Sequence, residues 1–94
     1  MFQDGDDYME LDAVQMMVAR AETLGVDIVM ADFDLVSSNN VKKSSYDKPF
    51  WEILPQTEVI DITKHPQALR VSPVPWRKLY RREILLKHNL RFLE

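Results

Sequence analysis

The chain has no cysteine, so neither a disulfide nor a thiolate metal site is open to it. It has only two glycines, Gly5 and Gly25, too few for a glycine-rich loop that cradles phosphate. Its two histidines, His65 and His88, lie far apart and form no ligand-spaced pair, so each reads as a surface or capping residue. Ser44 and Ser45 fall in a polar stretch without the flanking glycines of a nucleophile elbow, which leaves a serine hydrolase unsupported. No apolar run is long enough to span a membrane. The start lacks a basic stretch followed by an apolar one, so no signal peptide is expected. The expected setting is the cytoplasm, free or against the inner face of the membrane. Nucleic acid is not an expected partner, because the net charge is −3 and the basic residues lack a glycine–aromatic RNA motif.

What the chain does have is enough apolar residues, 46% of 94, to supply the core of one small domain. Its charge is unevenly placed. Residues 1–40 hold nine acids and one base, Arg20, a net of −8, whereas residues 41–94 hold eleven bases and six acids, a net of +5. Such separation suits a cation beside an anionic substrate, or simply two halves that attract each other.

Residues 10–24 place Leu11, Val14, Met17, Val18, Ala21 and Leu24 at helical spacing, which predicts a helix with one apolar face. Asp7 or Asp12 is suited to cap its start, and Gly25 to stop it. Residues 26–35 read as one strand, with Ile28, Val29 and Met30 covered on both faces and Asp32 and Asp34 turning one face polar near its end. The handedness of crossover connections would set a preceding parallel strand, ending near Phe2, beside it. Residues 37–48 read as a surface loop or hairpin tip. The apolar patch at residues 49–54 should dock on a sheet. Residues 57–63 alternate as a short strand, and Pro66 opens a helical turn. Pro73 and Pro75 forbid regular helix around Val74. Residues 83–88 suit a short helix burying Leu85 and Leu86, with Leu90 and Phe92 returning to a core or an edge.

Two clusters carry chemistry. The first is Asp4-Gly5-Asp6-Asp7, three carboxylates within four residues. A turn at Gly5 would aim Asp4 and Asp6 at one point, and hard divalent cations take carboxylate oxygens, often one or two together with substrate phosphates. A helix-capping acidic turn is the plainer alternative. A calcium loop is excluded: counting from Asp4, the sixth position is Met9 rather than glycine and the twelfth is Gln15 rather than glutamate. The second cluster is Trp76, Arg77, Lys78, Arg81 and Arg82. It reads either as a solvated basic face with Leu79 and Tyr80 buried, or as an indole and cations lining a sugar or phosphate site.

Several segments together resemble family 2 glycosyltransferases of the GT-A fold. Phe2-Gln3-Asp4-Gly5-Asp6-Asp7-Tyr8 resembles the family's "FLDSDDW", and residues 9–24 its "PDALE" helix. Asp27-Ile28-Val29-Met30-Ala31-Asp32-Phe33 resembles "ADIVVCDY". Trp76-Arg77-Lys78-Leu79-Tyr80-Arg81-Arg82-Glu83-Ile84-Leu85 resembles "WNKLYRRELL", and Leu90-Arg91-Phe92-Leu93-Glu94 resembles "IRFPEG". The resemblance spans most of the chain, with residues 37–58 contributing least. It implies an α/β fold, a partial GT-A (Rossmann-like) sheet with flanking helices. It also implies transfer of a sugar from a nucleotide-diphosphate donor to the hydroxyl of a glycan or lipid acceptor. By the same resemblance Asp4 and Asp6 hold a divalent metal, Mn²⁺ or Mg²⁺, that bridges the donor diphosphate, and Asp7, Trp76 and Lys78 contact substrate. Arg77 stands where the family commonly has asparagine.

The departures carry as much weight. The family's opening "VSVIIPVYN" strand with its nucleotide-binding half, and the catalytic acidic motif beyond "IRFPEG", have no counterpart in residues 1–94. Glu94 aligns with the linker before that base, so no catalytic residue is assigned. The expectation is a fragment, the C-terminal part of a catalytic domain with an incomplete fold, inactive alone. The alternative is a non-catalytic α/β interaction module that self-associates, as a homodimer, through an exposed sheet edge.

Overall fold

Helix α1 spans Ala13–Leu24, within the segment that the apolar periodicity marks. Asp12 occupies its N-cap position but makes no side-chain capping bond; its backbone carbonyl instead accepts from the Met16 N–H at 2.9 Å. The stop is the predicted one. Gly25 adopts φ 62°, a left-handed conformation that costs glycine little, and its N–H and that of Val26 both reach the Ala21 carbonyl. These observations come from a computed structural model, which describes residues 1–40, 42–44, 52, 54, 59–70 and 74–93.

The chain divides into two units, Met1–Ala31 with Pro75–Glu94, and Asp32–Val74. In the first, strand β1, Ile28–Met30, follows the Gly25 turn. Its partner comes from the far end of the sequence. This is strand β4, Lys78–Tyr80, which pairs with it antiparallel in the register Ile28↔Tyr80, Val29↔Leu79 and Met30↔Lys78. The pairing is lengthened by backbone bonds from Ala31 N–H to the Arg77 carbonyl (2.9 Å) and from Arg81 N–H to the Asp27 carbonyl (2.8 Å). Helix α1 packs on this pair and buries Met17, worth about 1.5–3 kcal/mol for a side chain of that size. A short 3₁₀ turn, Pro75–Arg77, leads into β4, and helix α2, Arg82–Lys87, leaves it. Asn89, at φ 48°, ends α2: its own N–H reaches the Leu86 carbonyl and the Leu90 N–H the Leu85 carbonyl, a Schellman stop built on asparagine.

In the second unit, strands β2 (Asp34–Val36) and β3 (Lys42–Ser44) form an antiparallel hairpin; the polar stretch at residues 37–48, read as a loop or hairpin tip, thus holds a strand as well as the tip. Its turn places Asn40 at φ 58° with its N–H on the Ser37 carbonyl. A 3₁₀ helix, Pro66–Arg70, follows His65, whose carbonyl accepts from the Ala68 N–H. Leu54 and Ala68 are buried.

Several expectations change. Residues 26–35 are not one strand. The Asp32 carboxylate accepts from the neighbouring Phe33 N–H at 2.9 Å, local bonding that competes with a ladder, and β1 and β2 pair with different partners. Nor is β1 covered on both faces: Ile28 is 45% exposed. The strand beside β1 is antiparallel β4; Phe2 lies in no strand. Residues 59–63 are bend and turn rather than strand, because Asp61 takes the Thr63 N–H and hydroxyl for itself, at 2.9 and 2.6 Å. Residues 57–58, most of the patch at 49–54, Ser45, Pro73 and Glu94 lie outside the described residues. Leu86 is 61% exposed rather than buried, and Leu90 and Phe92 are exposed. The helix–strand content agrees with an α/β fragment.

Candidate functional site

The acidic cluster forms a turn, as the glycine allows. The Asp7 N–H bonds to the Asp4 carbonyl at 3.2 Å across Gly5-Asp6, and the Gln3 side-chain amide donates to the Asp7 carbonyl at 2.9 Å. Asp4, Asp6 and Asp7 are all exposed. Among the described residues no three carboxylates or imidazoles gather closely enough to enclose an ion by themselves. The hard oxygens of Asp4 and Asp6 match the chemistry of a site that takes one or two protein carboxylates and completes its shell with phosphate and water.

Phe2 anchors this turn. Its ring meets Tyr80 of β4 edge-on with centroids 6.2 Å apart, and Phe92 edge-on at 5.0 Å. Both separations fall in the favourable range for edge-to-face pairs. The residue two positions before Asp4 is therefore tied to the strand that carries Lys78. Pleating sets Lys78 and Tyr80 on one face of β4 and Leu79 on the other. Partial burial raises the Tyr80 hydroxyl above its ordinary 10.0. Trp76 and Lys78 are both half-buried and belong to the same unit as the acidic turn.

The residue that sequence reasoning undervalued is Arg77. As part of a basic run it reads as solvated, yet it is 2% exposed, the most buried polar side chain described. Its Nε–H donates to the Ala31 carbonyl at 2.9 Å, while the Ala31 N–H bonds to its backbone carbonyl. Arg77 thus ties the end of β1 to the entry of β4. No strand is expected at residues 78–80 from the sequence, so nothing local marks Arg77 for burial; only the β1–β4 pairing does. Arg81 plays a similar part near the surface. Its Nε lies 3.3 Å from the Asp27 carboxylate, and Nη2 donates to the Val26 carbonyl at 3.4 Å.

Between α1 and β4 lies an open groove of about 360 Å³, lined by Val18, Ala21, Glu22, Val26, Asp27, Leu79, Tyr80, Arg81 and Glu83. None of the predicted site residues lines it. In the other unit, hydrogen bonds from the Thr63 hydroxyl and N–H hold the Asp61 carboxyl below its ordinary 3.8, an internally satisfied turn rather than a reactive group. No described helix is long and apolar enough to cross a membrane.

Compared with known proteins, the chain is 35% identical over 96 residues to the uncharacterized glycosyltransferase EpsJ of Bacillus subtilis (strain 168). The alignment covers 99% of this chain and 27% of that protein, so the chain spans about a quarter of the relative's length. The identity supports a relationship to a glycosyltransferase. No family model matches the chain, and no solved structure matches it.

Proposed function

We propose that this chain is the metal-bearing part of a family 2 glycosyltransferase catalytic domain of the GT-A fold. Such a domain moves a sugar from a nucleotide-diphosphate donor to the hydroxyl of a glycan or lipid acceptor. The observation that carries the reading is the 35% identity to a glycosyltransferase along nearly the whole chain. The acidic turn, Asp4 to Asp7, supports it. Asp4 and Asp6 are the residues that would hold Mn²⁺ or Mg²⁺. Such an ion supplies Lewis-acid stabilisation of the departing nucleoside diphosphate. Asp7 flanks the turn and adds negative charge to it. The Lys78 ammonium suits a phosphate oxygen, and the Trp76 indole suits the apolar face of a sugar. No residue described here is assigned as the base that deprotonates the acceptor, so the chain alone is proposed to be inactive.

Calorimetry tests this reading with Mn²⁺ and a panel of nucleotide sugars, on the wild type and on Asp4→Asn/Asp6→Asn. Weak Mn²⁺ binding that disappears in the double variant is expected, with no tight nucleotide binding. Metal binding unchanged by the double substitution would remove the role of these carboxylates. Micromolar affinity for a nucleotide sugar would overturn the proposed inactivity. A non-catalytic module associating through a sheet edge is the second reading. It draws on the β1–β4 sheet, which has only two strands among the described residues and so leaves an edge on each.

A further inference from the structure

Two surfaces of the first unit match each other in chemistry. The groove between α1 and β4 is lined by apolar Val18, Ala21, Val26 and Leu79, by Glu22 and Glu83, and by Asp27 and Arg81, which neutralise each other in an ion pair. Both glutamates are exposed, and no described residue forms an ion pair with either. At the other end of α2 the chain carries the opposite pattern. Leu86, Leu90 and Leu93 are 61%, 56% and 101% exposed, and the exposed cations Lys87 and Arg91 are interleaved with them. The Asn89 turn fixes the direction in which this segment leaves α2, and Phe92 rests against Phe2.

We infer that the groove is a docking site for residues 86–93 of a second copy of this chain. Leucines from one copy would cover the apolar lining of the other, while Lys87 and Arg91 meet Glu22 and Glu83. Glu83 of the groove and Leu86 of the segment lie about one turn apart on α2, so a two-fold axis passing close to α2 lets both copies exchange the same contact and closes the assembly as a dimer. Charge complementarity sets the register and speeds the encounter, and burial of the leucines holds it. This surface differs from the sheet edges, and the inference does not rest on sugar transfer.

Sedimentation of the full chain over a concentration series, at low and high salt, tests the proposal. The expected result is a monomer–dimer equilibrium weakened by salt, because the contact is partly ionic. Glu22→Lys/Glu83→Lys and Lys87→Glu/Arg91→Glu should each weaken dimerisation about tenfold. Mixing the two variants should restore a heterodimer near the wild-type affinity. All four positions are exposed, and circular dichroism of each variant checks the fold. Monomer at every concentration overturns the proposal. So does a dimer indifferent to salt and to both charge reversals, as pairing through a strand edge would give, or a mixture that fails to recover.

Discussion

Within each of its two units the chain is held by a different balance of contacts. In the first, the bonds that matter join distant parts of the sequence: Arg77 reaches Ala31 across 46 positions, and Arg81 reaches Val26 across 55. In the second, several described bonds are local. They include a hairpin between β2 and β3, an Asp61–Thr63 turn two positions wide, and a 3₁₀ helix opened by His65 and Pro66. A local bond closes a short loop and costs little chain entropy, so it can form with few neighbours. A pairing across half the sequence must offset a larger closure cost through burial and well-made polar contacts. The buried Arg77 is such a contact, and the first unit depends on a few of them.

Arg77 is where the two units should part most clearly. Arg77→Ala should destabilise the β1–β4 pair by about 2–3 kcal/mol, the range for a buried hydrogen bond from a charged group plus lost packing. Arg77→Lys should not rescue it, since lysine has no planar Nε donor. Hydrogen exchange at Val29 and Leu79 reads the loss, and amides of Asp34–Val36 serve as the control. Equal loss at both places would mean that the two units open as one. A smaller effect is expected at Gly25. A side chain there meets nothing within 4 Å, so Gly25→Ala should cost only the left-handed backbone penalty of about 1 kcal/mol, visible in thermal unfolding. A loss well above that would show that the α1–β1 turn packs more tightly than its open surroundings suggest.

The smallest effects are in the pH response, and they separate the units by sign. Tyr80 has a folded pKa above 10.0, so its contribution is complete below pH 10.0 and fades as pH rises through the folded value. Asp61 has a folded pKa below 3.8, so its contribution is complete above pH 3.8 and fades as pH falls through the folded value. Alkali above pH 10.0 should therefore loosen the first unit, and acid below pH 3.8 the turn at Asp61. Tyrosinate absorbance and the amide signal of Thr63 follow the two transitions. Tyr80→Phe should remove the alkaline one, and Asp61→Asn the acidic one.

Much of the local structure is legible in the sequence. The periodicity from Leu11 to Leu24 and the glycine after it place α1 and its stop, and the polar residues 37–48, read as a loop or hairpin tip, contain the turn but also strand β3. Legibility failed where one residue's side chain changed its neighbour's backbone. Asp32 interrupts the run that looks like one strand, and Asp61 converts an alternating segment into a turn. It failed again where burial depended on a distant partner. Leu86 looks like a core residue and is exposed, whereas Arg77 looks like a surface residue and is buried. In the candidate site, the acidic residues and their glycine turn are readable in order along the chain. The edge-on contacts of Phe2 with Tyr80 and Phe92 are not.

The sequence by itself determined the helix, its glycine stop, the hairpin tip, the acidic turn and the likeness to a glycosyltransferase. Each of these depends on residues within a few positions of one another, or on their order along the chain. Only the tertiary structure decided that β1 takes β4 as an antiparallel partner, that Arg77 is the buried tie between them, and that an open groove lies between α1 and β4. The physical reason is that period and propensity act within one segment. Partner choice and burial depend on which distant segments meet, a choice governed by the surface they remove from water together.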